Sequence, residues 1–159
     1  MAHIDHTAEL TRCSASEIAL TQPAQRQALV LIVTDDLHLS MNFGSLCGFL
    51  NIDMEHVPSD QDLAIVLREQ QPMAVIADLD GNGQDGYHVM MQVAEYDREL
   101  PMLLLTGRDP ALAGAADAIE ELWQLTSVAQ TSSMPSVGNL VDFLFRAGRK
   151  GRCMRMMPV

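Results

Sequence analysis

The sequence predicts an α/β protein: a three-layer αβα sandwich built around a five-stranded parallel sheet. Two observations predict this fold. First, apolar runs of strand length alternate with segments whose apolar residues recur at helical spacing, from residue 28 to residue 149. Second, the apolar runs are continuous rather than alternating, which is typical of strands that are covered on both faces.

The strand predictions depend on short apolar runs bounded by polar or turn-forming residues. Four of these runs are strong, and the fifth is weak. The five predicted strands cover residues 28–34, 52–57, 73–77, 101–105 and a stretch within 126–132.

A segment with helical spacing of apolar residues follows each predicted strand. Ser59 and Asp62 have the spacing of a capping box before the second helix, and Pro110 follows Asp109 at the start of the fourth. Asn51 stands where a helix tolerates a left-handed cap. The predicted helices cover residues 39–50, a segment around 63–67, and residues 87–96, 110–122 and 137–149.

Composition divides the chain into three parts. Residues 1–27 are polar and are expected to be partly disordered or to form one short helix, residues 28–148 form the α/β domain, and residues 149–159 form a basic C-terminal tail. Half of the basic residues lie between Arg146 and Arg155, and the rest of the chain has 5 basic against 21 acidic side chains. The net charge of −11 disfavours nucleic-acid binding.

Three features of the sequence indicate where the protein is located. No apolar run approaches the length of a membrane span, and no apolar block follows a basic start as a secretory signal requires. Cys13, Cys47 and Cys153 are odd in number and too widely spaced for a disulfide framework or a zinc motif. We therefore expect a cytoplasmic protein without a membrane span.

Acidic and hydroxyl residues follow three of the predicted strands. Thr34, Asp35 and Asp36 follow the first strand, Asp78 follows the third, and Thr106 follows the fourth. Ligands of such sheets bind at the carboxyl ends of the strands, so we expect the functional site at this edge.

Residues 28–148, about three quarters of the chain, resemble the receiver domain of response regulators, the phosphoacceptor module of two-component signalling. The resemblance rests on the acids after the first strand, on Asp78 with Asp85 and Gly86 downstream, and on the run Leu-Leu-Thr-Gly that ends at Gly107. It implies the flavodoxin-like strand order 2-1-3-4-5.

The resemblance also implies roles for these residues. Asp78 would be the phosphoacceptor, Thr106 would contact the phosphoryl group through its hydroxyl, and the small Gly107 would leave access to the site. A carboxylate can take a phosphoryl group as a nucleophile, and Mg²⁺ neutralises the phosphoryl oxygens during transfer. The oxygen ligands of Mg²⁺ would be Asp35, Asp78, the backbone carbonyl of Asp80 and, as a further candidate, Asp36.

The sequence departs from the family pattern in two places. Receivers usually carry two acids after the first strand; an alignment without gaps puts Thr34 in the first place and Asp35 in the second, whereas a one-residue shift restores an acid pair. The family's Lys before a cis-proline is replaced by Met134, before Pro135. Arg108 is either a substitute partner for the phosphoryl group or an exposed loop residue.

Two functions follow from this resemblance. The first is a stand-alone response regulator, not an enzyme, that accepts a phosphoryl group on Asp78 from a histidine kinase or phosphotransfer protein. It would signal by binding another protein, with a homodimer through the fourth and fifth helices as a further candidate. The alternative is a pseudo-receiver that serves as an interaction scaffold without phosphorylation. A different doubly wound enzyme is a third hypothesis, but no glycine-rich phosphate loop or Cys–His or Ser–His motif supports it.

Overall fold

Five parallel strands form the central sheet of the computed structural model, which describes residues 26–79 and 86–153. Their order is β2-β1-β3-β4-β5, so β3 lies in the middle of the sheet and β2 and β5 lie at its edges. This confirms the predicted strand order. The strands are β1 (Gln27–Val33), β2 (Asp53–Val57), β3 (Pro72–Asp78), β4 (Met102–Leu105) and β5 (Val128–Thr131).

Each strand is followed by a helix, as the alternating pattern predicts. Short polar side chains cap most of these helices and accept bonds from the first-turn amides. Asp109 caps the fourth helix by accepting a bond from the Ala111 amide, with Pro110 in the first turn. The helices are α1 (Leu37–Phe49), α2 (Leu63–Gln70), α3 (Gly86–Tyr96), α4 (Pro110–Leu122) and α5 (Val137–Lys150).

The helices cover both faces of the sheet and bury two separate clusters of apolar side chains. On one face, α2, α3 and α4 pack on alternate strand residues such as Leu31 and Val75. On the other face, α1 and α5 pack on the intervening residues, such as Ile32 and Ile76. Because both faces are buried, the central strands are apolar except at their ends, which explains their continuous apolar runs.

The observed helix boundaries correct the sequence analysis at one cap and confirm it at another. Asp62 alone caps α2, by accepting a bond from the Ala64 amide. Ser59 is not part of a capping box, because its amide is bonded to Asp35 instead. Asn51 has a φ of 59°, which confirms the left-handed residue predicted after α1.

The first and last described residues meet at the amino edge of the sheet. The Arg26 amide donates to the carbonyl of Gly151 at 3.2 Å, and the Cys153 thiol lies 3.3 Å from the Arg26 carbonyl oxygen. The segment predicted as a basic tail thus begins within α5 and continues along the domain to Cys153. The remainder of that tail, 154–159, and the predicted extension up to residue 25 lie outside the described residues. No helix in the described part of the chain is long and apolar enough to cross a membrane.

Candidate functional site

Three neighbouring strands bring the predicted site residues together at the carboxyl edge of the sheet. Thr34 follows β1, Asp78 is the last residue of β3, and Thr106 follows β4. Asp78 pairs with Leu105 in the sheet register, and the Leu79 amide donates to the Leu105 carbonyl at 2.9 Å. The strand pairing therefore sets Asp78 between the ends of β1 and β4.

Thr34 is a side chain that the structure places against Asp78. Its hydroxyl donates to Oδ2 of Asp78 across 3.4 Å and accepts a bond from the Asp36 amide at 3.0 Å. Thr34 has no exposed surface. Its carbonyl oxygen lies 2.6 Å from Nε2 of His56, so β2 also holds this residue in place.

The two acids after Thr34 have other partners. Oδ1 of Asp35 accepts a bond from the Ser59 amide at 2.8 Å, and this bond holds the pKa of the Asp35 carboxyl below its usual range. Asp36 caps α1, because its Oδ1 accepts bonds from the His38 amide at 2.9 Å and from the next amide. The alignment without gaps, which sets Thr34 in the first place of the acid pair, therefore agrees with the geometry.

The donor set of the predicted Mg²⁺ site is only partly within the described residues. In the ranges 26–79 and 86–153, no three His, Cys, Asp or Glu side chains form a group that could hold a metal ion. Asp35 and Asp36 bind amides of the adjacent loop and helix, and the predicted carbonyl ligand on Asp80 lies outside the described residues. The acids that the structure describes therefore do not by themselves fit a carboxylate-rich cation site.

Thr106 connects the end of β4 to β5. Its side chain is buried, its amide donates to the Thr131 carbonyl at 2.9 Å, and its hydroxyl donates to the same carbonyl at 3.2 Å. The next residue, Gly107, has a φ of 67°, a conformation that glycine adopts without steric cost. Any new partner for the Thr106 hydroxyl would thus compete with the main chain of β5.

A contact that the sequence analysis missed joins Leu79, the residue after Asp78, to α3. Gly86 begins α3, and a Cβ built on it would overlap Cδ2 of Leu79 and lie 3.1 Å from that residue's Cβ and Cγ. Leu79 directly follows Asp78 and is buried. The eight-residue spacing from Asp78 to Gly86 was the sequence signal that could have indicated this contact. The physical reason for the spacing is that the start of α3 packs on Leu79, the residue after Asp78. Asp85 lies outside the described residues.

The loop before α5 differs from what the resemblance to receiver domains implies. Met134 is 47% exposed. The residues that the structure describes contain no cis peptide bond, so the expected cis bond before Pro135 is wrong for this chain. Arg108 is exposed in the loop after β4.

Comparison with known proteins shows which of them the chain is similar to. No known protein-family model matches the chain. The C4-dicarboxylate transport transcriptional regulatory protein DctD of Pseudomonas aeruginosa is 28% identical over 106 residues, which cover 62% of this chain and 23% of that protein. The chain therefore spans about a quarter of the length of this curated relative.

Solved structures of receiver domains superpose on most of the chain. A response regulator receiver domain protein from Clostridium thermocellum matches with a TM-score of 0.62 at 16% identity, over 79% of this chain and 98% of that one. The chemotaxis protein CheY4 of Vibrio cholerae matches with a TM-score of 0.60 at 15% identity, over 76% and 98%. The beryllofluoride-activated NtrC receiver domain matches with a TM-score of 0.57 at 18% identity, over 80% and 98%. The chain has the fold of response-regulator receiver domains.

Proposed function

We propose that this chain is a response-regulator receiver module that accepts a phosphoryl group on Asp78 from a histidine kinase or phosphotransfer protein. One observation carries the proposal: in a receiver fold, Asp78 ends the middle strand with Thr34 bonded to it and Thr106 on the neighbouring strand end. The Asp78 carboxylate lies at the carboxyl edge of the sheet, where ligands of this architecture bind.

The proposed reaction makes the chain a phosphoryl acceptor, not an enzyme that turns over a substrate. A carboxylate oxygen of Asp78 bonds to phosphorus, and the P–N bond of the donor phosphohistidine breaks. The leaving imidazole nitrogen keeps the electron pair and takes up a proton. Asp78 then carries an acyl phosphate.

Thr106 is the proposed hydroxyl contact of the phosphoryl group. Its present bond to the Thr131 carbonyl supports a route for the signal, because a hydroxyl that turns toward a phosphoryl oxygen gives up this bond and leaves that carbonyl with the Thr106 amide alone. The link between β4 and β5 would then be weaker, and a partner that touches β5 or its flanking helices could sense the change.

Mg²⁺ remains part of the proposal as the ion that neutralises the phosphoryl oxygens when it is bound. Asp78 and the carbonyl of Asp80 are its proposed ligands together with Asp35. Because Asp35 is bonded to the Ser59 amide, the phosphorylation assay has to be run both with and without the ion.

The test is intact mass after incubation with acetyl phosphate. We expect a gain of one phosphoryl group in the wild-type chain and none in Asp78→Asn. Asp142→Asn is the matched control, because Asp142 is an exposed acid on α5 whose partner, Arg146 at 3.4 Å, is exposed as well. No gain in a folded wild-type protein, with either acetyl phosphate or a phosphorylated phosphotransfer protein, would reject the proposal.

The alternative is a scaffold that binds its partner without phosphorylation. It is favoured by Met134, which is 47% exposed where the resemblance expects a Lys. Under this alternative, Asp78→Asn would leave partner binding unchanged. Under the leading proposal, Met134→Lys would lengthen the lifetime of the acyl phosphate or raise the rate of its formation, because it adds a cation for the phosphoryl oxygens.

A homodimer through α4 and α5 is the proposed mode of self-association. The described residues support it by charge: the outer part of α4 carries Asp117, Glu120 and Glu121, while the last turns of α5 carry basic residues, of which Arg149 and Lys150 are exposed. Sedimentation before and after phosphorylation tests it, with Glu120→Lys expected to weaken the dimer.

A further inference from the structure

The bonds of Thr34 form a short chain that ends on Asp78. A hydroxyl has one proton to donate and lone pairs with which to accept. The Asp36 amide occupies a lone pair at 3.0 Å, and the proton is directed to Oδ2 of Asp78 at 3.4 Å. Because Thr34 is fully buried, water does not compete for either bond.

The Thr34 hydroxyl beside Asp78 is uncharged, whereas a carboxylate in the same place would add a second negative charge. A donor that bonds to a carboxylate stabilises its charged form and orients it, whereas a second carboxylate would repel it and need a cation between the two. The acids that follow Thr34 have other partners in the structure: Asp35 binds the Ser59 amide and Asp36 caps α1. Either acid would have to share or give up an amide bond to serve as this second carboxylate.

We propose that Thr34 is a positioning residue for Asp78: its buried hydroxyl orients the acceptor carboxylate in place of an acid, and among the described residues it stands where a second carboxylate would otherwise share a divalent cation with Asp78. The part of this inference that concerns orientation of the acceptor rests on the proposed function, because phosphorylation rates test it. The part that concerns divalent cations rests on the bonds of Thr34, Asp35 and Asp36 alone.

The kinetic test compares initial rates of phosphorylation by acetyl phosphate. Thr34→Val keeps the shape and removes the hydroxyl, so we expect a rate about tenfold lower. Thr34→Ser restores the hydroxyl and should stay within about twofold of the wild-type rate. Urea unfolding of each variant shows whether it is folded under the assay conditions. Ser40→Ala, which removes another buried hydroxyl from α1, is the matched control and should leave the rate unchanged.

The cation test uses Mg²⁺ alone and calorimetry, so it does not depend on phosphorylation. Thr34→Asp should bind Mg²⁺ about tenfold or more tightly than wild type, because charge count sets affinity at such sites. Thr34→Asn should bind like wild type, and adding Asp78→Asn to Thr34→Asp should abolish the gain.

The outcomes separate this inference from the proposed function. A folded Thr34→Val that is phosphorylated at the wild-type rate overturns the positioning role, as does a Thr34→Ser that fails to restore it. If the wild-type chain is not phosphorylated at all, the proposed function fails and the cation test decides. A gain in Thr34→Asp that requires Asp78 then upholds the placement of Thr34, and equal affinities overturn it.

Discussion

Arg26 and Asp97 form an ion pair that joins the start of β1 to the end of α3 across 71 residues of sequence. Nη2 of Arg26 lies 2.6 Å from Oδ2 of Asp97, and the Arg26 side chain is only 13% exposed. The same residue holds Gly151 and Cys153 through its main chain. Arg26, at the amino edge of the sheet, thus connects the start of β1 with the end of α3 and with the segment after α5, which are far apart in the sequence.

Arg26→Ala should lower the free energy of urea unfolding by about 2–3 kcal/mol, because it leaves the Asp97 carboxylate partly buried without its partner. Arg146→Ala is the matched control: it breaks the exposed pair with Asp142 and should cost no more than about 0.5 kcal/mol. A double-mutant cycle with Asp97→Ala measures the coupling. Equal losses for the two arginines would contradict this assignment.

Gly86→Ala should destabilise the protein by about 1–3 kcal/mol, because the new methyl group overlaps Leu79. Gly114→Ala, in the middle of α4, should do the opposite. No atom lies within 4 Å of a Cβ at Gly114, so alanine there should stabilise the helix by about 0.5–1 kcal/mol. Unfolding in urea measures both, and a stabilising Gly86→Ala would show that Leu79 moves aside without cost.

Asp36 should behave as a helix cap and not as a metal ligand. Asp36→Ala is expected to lower stability by about 1 kcal/mol, while Asp36→Ser keeps an oxygen for the His38 amide and should lose little. Asp109→Ala, at the start of α4, offers a comparison with the same capping chemistry. If Asp36→Ser abolished Mg²⁺ binding while leaving stability intact, Asp36 would be a ligand after all.

Stability should fall in alkaline solution through Cys47. Burial raises the pKa of the Cys47 thiol from its ordinary value of 9.0 to about 11. The unfolded chain therefore loses this proton first, so the contribution of the neutral thiol is complete below the unfolded pKa and is lost as pH rises through the folded one. Wild type should lose on the order of 2 kcal/mol more than Cys47→Ala between about pH 8 and about pH 11. Parallel pH profiles of the two proteins would contradict this.

Periodicity was sufficient to predict the fold of the described residues. The continuous apolar runs predicted β1, β3 and β4 to within a residue or two, because strands covered on both faces carry apolar side chains along their buried middle. The start of α4 after Asp109 and the left-handed conformation of Asn51 could also be predicted, since each depends on the local backbone alone.

The geometry of the site was harder to predict from the sequence, because it depends on contacts between segments that are far apart in the chain. Sequence spacing could not decide whether Thr34 or an acid faces Asp78. The bond from Ser59 on another loop to Asp35, and the capping of α1 by Asp36, decide it. The pairing of Arg26 with Asp97 likewise depends on tertiary packing and leaves no local pattern.

The meeting of Arg26 with Gly151 sets where attachments to this domain would sit. Both residues lie at the amino edge, while Asp78 lies at the opposite end of strands about 20 Å long. A fluorophore, an affinity tag or a fused protein attached beyond either residue would therefore begin far from Asp78. Energy transfer between labels placed just beyond these two residues would report whether the domain is folded and would be insensitive to chemistry at Asp78.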